Sequence, residues 1–188
     1  RDTAMCLEGV SVNNLQIQFW NSWSQTDGEP FALTDDYLNL DVPDLEDKAA
    51  VAFSSSDPGS IGPFNMEAII LGINDAKESI QLCTPYFIPS DQLSTALEIA
   101  ASSGVRVELM IPAESDSYIV QHATFSFLKP LLQRGVHVYL YKKGFLHAKT
   151  ICIDQRLAFV GTVNLDIRSF YINYEIASIV SDEKYCER

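Results

Sequence analysis

The chain alternates between short apolar runs and longer segments whose apolar residues recur every three or four positions. Short apolar runs bounded by turn formers predict strands, whereas the longer periodicity predicts helices. The predicted helices span residues 13–23, 65–77, 91–103 and 116–134. The predicted strands lie near residues 50–54, 79–84, 105–111, 136–141, 146–153, 157–161 and 174–180. This order predicts an α/β fold, with a mixed sheet and helices on both faces.

Turn-forming residues divide the chain into two unequal parts. Residues 24–48 are polar and acidic and are typical of a linker. The helix before them carries Leu15, Phe19, Trp20 and Trp23 on one side, which indicates packing against a partner. We therefore expect residues 1–48 to be the remnant of one domain with its linker, and residues 49–188 to form a second domain.

Composition narrows the class of protein. The 188 residues are 47% hydrophobic, which is typical of a globular core, and carry a formal net charge of −12. That acidity argues against a broad nucleic-acid interface. The apolar runs are far shorter than the roughly 20 residues needed to cross a bilayer. The four cysteines include no CxxC pair. Neither a zinc site nor a disulfide framework is favoured, and we predict no metal or cofactor.

The stretch FLHAKTICIDQRLAFVGTVN contains the candidate chemistry. On a strand, His147 and Lys149 would share one face, which sets an imidazole beside an ammonium. The imidazole can attack phosphorus or pass a proton, and the ammonium can neutralise a phosphate oxygen. Asn164, in the turn led by Gly161, can donate to the same oxygens. This combination predicts phosphodiester chemistry.

Other residues are assigned supporting roles. Asp154 has the opposite parity from His147, so we expect it to hold the local turn rather than to touch substrate. Thr162 offers a second hydroxyl donor in the turn. Glu175, on the following strand, is our candidate for the acceptor that orients the His147 ring. Tyr86 lies in a turn between two prolines, and we predict that its side chain forms either a pocket wall or part of the core packing.

These residues resemble the HxK(x4)D…G(S/T)xN signature of the phospholipase D superfamily. The flanking segments TPYFIPSD at 84–91, GVRVELMIP at 104–112 and NLDIRSFYINYE at 164–175 resemble bacterial cardiolipin synthases. The opening Arg-Asp-Thr is similar to the segment that follows the first catalytic motif in those enzymes. The resemblance covers nearly the whole chain.

The resemblance implies a phospholipase D-like fold and a phosphatidyltransferase activity. Such enzymes join two phosphatidylglycerols into cardiolipin and release glycerol, through a phosphohistidine and without a metal. It assigns His147, Lys149 and Asn164 to the second half of an active site, with Glu175 as the orienting acid. Arg168 is predicted to contact either a headgroup phosphate or a structural ion-pair partner. The implied location of the full-length protein is the cytoplasmic side of the bacterial inner membrane.

The motif occurs only once, whereas members of the family carry two that build one site. We therefore expect this stretch to be half of a catalytic centre, completed by a first half of the same polypeptide and inactive or nearly so alone. The alternative is a single-motif phosphodiesterase, nuclease or phospholipase completed by homodimerisation. The acidity and the lipid-type flanks argue against a nucleic-acid substrate. The roles of nucleophile and acid stay open between the two histidines.

Overall fold

The computed structural model describes residues 1–26, 31–38 and 48–186. Its helices are α1 Val12–Ser24, α2 Phe64–Asp75, α3 Asp91–Ser102, α4 Tyr118–Gln133, α5 Ile167–Tyr171 and α6 Glu183–Cys186. Its strands are β1 Ala50–Ser56, β2 Ser79–Cys83, β3 Phe87–Ile88, β4 Arg106–Pro112, β5 His137–Tyr141, β6 Thr150–Ile153, β7 Leu157–Gly161, β8 Leu165–Asp166 and β9 Glu175–Ser181. A short 3₁₀ turn occupies Asp35–Tyr37.

Seven strands form one mixed sheet in the order β1-β9-β7-β6-β2-β4-β5. Strands β2, β4 and β5 are parallel, as expected for strands joined by helical crossovers. Strands β6, β7, β9 and β1 join the sheet through antiparallel pairs. The small strands β3 and β8 pair separately. The predicted α/β class and mixed sheet are confirmed.

The strand directions bring one set of strand ends to the same side of the sheet, which we call the upper edge. It contains the carboxyl ends of β1, β2, β4, β5 and β7, together with the amino ends of β6 and β9. Loops that are far apart in the sequence therefore meet there. All of the predicted motif except Asp154 lies at or beside this edge.

The helices are distributed unevenly over the two faces of the sheet. One face packs against α2, α3 and α4, whose buried residues join the core with Ile80, Leu109 and Ile151. The other face carries residues such as Cys83 and Cys152 and is covered in part by α6, whose Cys186 contacts Cys152.

Two predicted elements differ from the structure. The strand predicted at 146–153 begins only at Thr150, because its neighbours on the sheet end at Cys83 and Gly161. Helix α1 forms as predicted but has no buried residues, and Trp20 donates its indole N–H to the Phe31 carbonyl. Residues 27–30 and 39–47 of the predicted linker lie outside the described residues.

Gly161 ends β7 where β9 approaches most closely. A Cβ atom built at this position would lie 2.1 Å from the Ile176 carbonyl oxygen and 2.8 Å from Ala177 Cα. Both contacts are with backbone, which cannot rotate away. The glycine therefore allows the motif turn to sit against β9.

We predict that Gly161→Ala destabilises the protein by about 1–3 kcal/mol, because β7 and β9 must separate to admit the methyl group. Urea denaturation followed by circular dichroism measures the change. Gly62→Ala is the matched control, since a Cβ there meets nothing closer than 3.6 Å. Equal stability of the two variants would contradict the close-approach explanation.

Candidate active site

Residues 145–149 approach the upper edge in an extended conformation just before β6. Leu146 and Ala148 are buried at 4% exposure, whereas His147 is exposed and Lys149 half-buried. This alternation directs the side chains of His147 and Lys149 to the same, open side. The structure thus places the His147 imidazole and the Lys149 ammonium on one side of the segment, as their spacing in the sequence predicts.

The partner of His147 is Asp2, which the sequence analysis missed. The Nδ1 atom lies 3.0 Å from Asp2 Oδ2, and the backbone N–H of His147 donates to the Arg1 carbonyl at 2.7 Å. The hydrogen bond to His147 is the main cause that lowers the pKa of Asp2. The only sequence signal for this acid was the resemblance of Arg-Asp-Thr to a segment of the family, without a role for the carboxylate.

The expectation that Glu175 orients His147 does not match these contacts. Glu175 is buried at the start of β9, and its Oε1 accepts a hydrogen bond from Asn173 Nδ2 at 3.1 Å. The strand prediction correctly places Glu175 at the upper edge of the sheet. The local sequence carries no information about Asp2, which is 145 residues from His147 along the chain and whose carboxylate lies 3.0 Å from the Nδ1 atom of the ring.

Lys149 is held in a partly desolvated position. Its Nζ donates to the His147 carbonyl at 2.6 Å. Burial lowers the pKa of Lys149, while the carboxylates of Asp2, Glu175 and Asp166 oppose that shift. The ammonium therefore lies among three acids that the fold gathers at the upper edge, and it is placed to attract an anion there.

The turn after β7 carries one hydroxyl that is hydrogen-bonded and one buried side-chain oxygen without a partner among the described residues. The Thr162 hydroxyl accepts from the Ile176 N–H at 3.0 Å, and the Thr162 N–H donates to the Ile176 carbonyl at 2.9 Å. Thr162 thus fastens the turn to β9, whereas a contact with substrate remains a prediction. Asn164 Oδ1 is buried without a hydrogen-bond partner in the described part of the chain.

Asp166 is a second carboxylate that the sequence analysis did not assign. It is 9% exposed and caps α5 by accepting from the Ser169 N–H at 2.8 Å. Burial raises the pKa of Asp166, and the negative charge of Glu175 adds to that effect. A capping aspartate before a five-residue helix gives no sequence signal that distinguishes it from an ordinary helix start.

Tyr86 forms part of a wall next to His147. Its hydroxyl donates to Asp116 Oδ2 at 2.7 Å, and burial together with this bond raises the pKa of Tyr86 to about 12. The rings of Tyr86 and Phe145 are 6.4 Å apart, and those of Phe145 and His147 are 5.9 Å apart. The exposed guanidinium of Arg168 has no ion-pair partner within residues 1–26, 31–38 and 48–186.

Asp154 lies at the opposite edge of the sheet. Its carboxylate accepts from the backbone N–H groups of Lys77, Glu78 and Ser79, each at 2.8 Å. This is the kind of structural role that its strand parity predicts. Within the described residues, no three His, Cys, Asp or Glu side chains converge in a way that would hold a metal ion.

Comparison with known proteins identifies the family of this arrangement. Residues 69–188 match the family model described as cardiolipin synthase, phospholipase D-like domain. The chain belongs to this family. It is 39% identical over 176 residues to a cardiolipin synthase of Halalkalibacterium halodurans, and 40% identical over 184 residues to the major cardiolipin synthase of Bacillus subtilis. These matches cover 94% and 97% of this chain but only 35% and 38% of the relatives.

Solved structures support the fold of this cardiolipin synthase-like domain. Nuc from Salmonella typhimurium, a phospholipase D family member, superposes with a TM-score of 0.63 at 21% identity, over 74% of this chain and 88% of that one. Phosphatidylserine synthase from Haemophilus influenzae gives 0.67 at 15% identity, over 93% and 49%. Both show that the domain has the phospholipase D fold. No helix among the described residues is long and apolar enough to span a bilayer.

The three bonds to Asp154 make a testable contribution to stability. Burial raises the pKa of Asp154, but the bonds from Ser79, Lys77 and Glu78 together outweigh burial, and the net pKa is lowered. We predict that Asp154→Asn lowers the free energy of unfolding by about 2 kcal/mol at pH 7. Since the folded pKa is depressed, this contribution is complete above the ordinary value of 3.8 and disappears as the pH falls through the folded pKa.

Urea denaturation of both proteins at pH 7 and at pH 3.5 measures this pH dependence. Asp36→Asn is the control, because that exposed aspartate makes no described contact. A difference that stays constant between the two pH values would contradict a role for the ionised carboxylate.

Proposed function

We propose that this chain supplies the second half of the active site of a phosphatidyltransferase that forms cardiolipin from two phosphatidylglycerols. The observation that carries the proposal is the His147–Asp2 contact beside Lys149, within a domain of the cardiolipin synthase family. The relatives named above are cardiolipin synthases, and this chain spans little more than a third of their length. The first half of the site, with its own histidine, completes the centre.

The reaction uses the two histidines in turn. Nε2 of one ring forms a bond to phosphorus as the bond from phosphorus to the glycerol oxygen breaks, and the second histidine donates a proton to that oxygen. The hydroxyl of a second phosphatidylglycerol then gives its proton to the second histidine and attacks phosphorus. The nitrogen–phosphorus bond breaks and cardiolipin leaves. His147 serves in one of these roles and the first-half histidine in the other.

Asp2 supports either role by fixing the ring. A carboxylate that accepts a hydrogen bond from Nδ1–H leaves Nε2 facing the reacting phosphorus and stabilises the imidazolium when it forms. Lys149 and the amide of Asn164 stabilise charge that develops on the non-bridging oxygens. The carboxylates of Asp2, Glu175 and Asp166 oppose the lowering of the Lys149 pKa by burial, and stabilising this ammonium is the function we now propose for Glu175.

The substrate class, the location of the full-length protein and the division into domains follow from the same proposal. The substrate is a phospholipid, so the full-length protein works at a membrane surface, on the cytoplasmic side of the inner membrane. The chain alone is a half-site with little or no turnover. The division near residue 48 between the two catalytic domains, and the contact of Tyr86 or Arg168 with a headgroup, belong to the proposal as well.

We predict that His147→Ala in the full-length protein lowers the rate of cardiolipin formation by at least about 10³-fold, because one of the two transferring groups is lost. The measurement is conversion of radiolabelled phosphatidylglycerol in mixed micelles. His137→Ala is the control, since this exposed histidine begins β5 at the opposite edge of the sheet. Near-normal activity of His147→Ala would exclude the proposed role.

We also predict that Asp2→Asn lowers kcat by about 10²-fold or more while changing KM far less, because the ring loses the acceptor that fixes its tautomer. Asp2→Glu should recover part of the rate. Glu8→Gln, an exposed acid of the same segment, is the control and should stay within about twofold of wild type. Equal kcat for Asp2→Asn and wild type would show that the contact does not serve catalysis.

A further inference from the structure

A second, polar cleft opens at the upper edge beside His147. It has a volume of about 540 Å³ and lies between the loop 113–116 after β4 and the loop 141–145 after β5. Phe145 belongs to its lining, and its ring centroid lies 5.9 Å from that of His147. The cleft therefore adjoins the candidate active site across the Phe145 side chain.

The lining combines acceptors and donors of hydrogen bonds. Glu114 and Asp116 contribute carboxylates, Ser115 a hydroxyl and Lys142 an ammonium. Asp116 is oriented by two hydroxyls, with Tyr86 donating to Oδ2 at 2.7 Å and Ser115 donating to Oδ1 at 3.3 Å. Glu114 and Lys142 make no hydrogen bond or ion pair within the part of the chain that the structure describes. The Asp116 carboxylate is thus held in place by hydrogen bonds, while the Glu114 carboxylate and the Lys142 ammonium remain available to a ligand.

The charges decide which ligand fits. Two carboxylates against one ammonium disfavour a second phosphate, which would be repelled by the net negative charge. A polyol needs acceptors for its hydroxyl protons and donors for its oxygens, and the cleft offers both kinds. The phosphate of a lipid would meanwhile remain at Lys149, beyond Phe145.

We propose that this cleft is the subsite for the glycerol headgroup, the neutral polyol that leaves from one lipid and attacks from the other. Asp116 and Glu114 accept from its hydroxyls, and Lys142 donates to them. Tyr86 acts as a positioning residue that holds Asp116. The inference rests on the proposed function, since it names the part of the site that recognises the alcohol.

The reverse reaction isolates this recognition, because free glycerol then serves as the acceptor. Full-length protein in mixed micelles converts cardiolipin and glycerol into phosphatidylglycerol, and the rate is followed against glycerol concentration. The variants are Asp116→Asn, Glu114→Gln, their combination and Tyr86→Phe. Glu78→Gln is the control, because this exposed glutamate precedes β2 at the opposite edge of the sheet.

The combined variant should raise KM for glycerol about tenfold or more, with kcat changed less than about threefold. Tyr86→Phe should raise KM by a smaller factor, and the control should match wild type. Methanol, a monohydric acceptor, should be affected much less than glycerol. Positions 114 and 116 are exposed, and thermal unfolding of each variant checks that the fold is retained.

Three results would overturn the inference. The first is an unchanged KM for glycerol in the combined variant. The second is an equal rise for methanol, which would indicate general damage. The third is a wild-type preference for ethanolamine that the variants abolish, which would make the cleft an amine subsite. A wild-type protein that forms no cardiolipin would instead refute the proposed function itself, so the two failures are separable.

Discussion

The reversal of strand direction between β2 and β6 is the constraint on which the site depends. Antiparallel pairing of these neighbours sets the end of β2 beside the start of β6, so that the chain after Cys83 meets the chain before Thr150. The next reversals do the same for β7 and β9. Without them, His147, Asn164 and Glu175 would be distributed over both edges of the sheet. The chemistry follows from the hydrogen-bonding order of the strands.

Helices, strands and the spacing of the motif residues could be predicted from local sequence patterns. The helical periodicities and the side shared by His147 and Lys149 could be predicted, because both follow from the geometry of a single segment. The parity of Asp154 also pointed away from substrate, and its carboxylate lies at the far edge of the sheet. Each of these inferences needs only the residues within one strand or helix and its turn.

Contacts between distant segments could not be predicted in the same way. The acid beside His147 is Asp2, and the resemblance of its Arg-Asp-Thr segment to the family gave the carboxylate no role. The start of β6 depends on where β2 and β7 end, so the strand prediction began too early. The burial of Asp166 likewise depends on the pairing of β3 with β8. Such features are properties of the assembled sheet.

The separation of Asp2 and His147 has a consequence for folding. A contact that closes a loop of 145 residues gains its energy only after the intervening chain has been ordered, so it forms late and opens early. The pair is also half-exposed and is held by few neighbours, unlike the core under α2 and α3. Detachment of the segment that carries Asp2 would therefore disconnect the imidazole from its acid while the sheet stays folded. Catalytic competence and global stability are then separate quantities in this domain, with the former set by the attachment of the segment that carries Asp2.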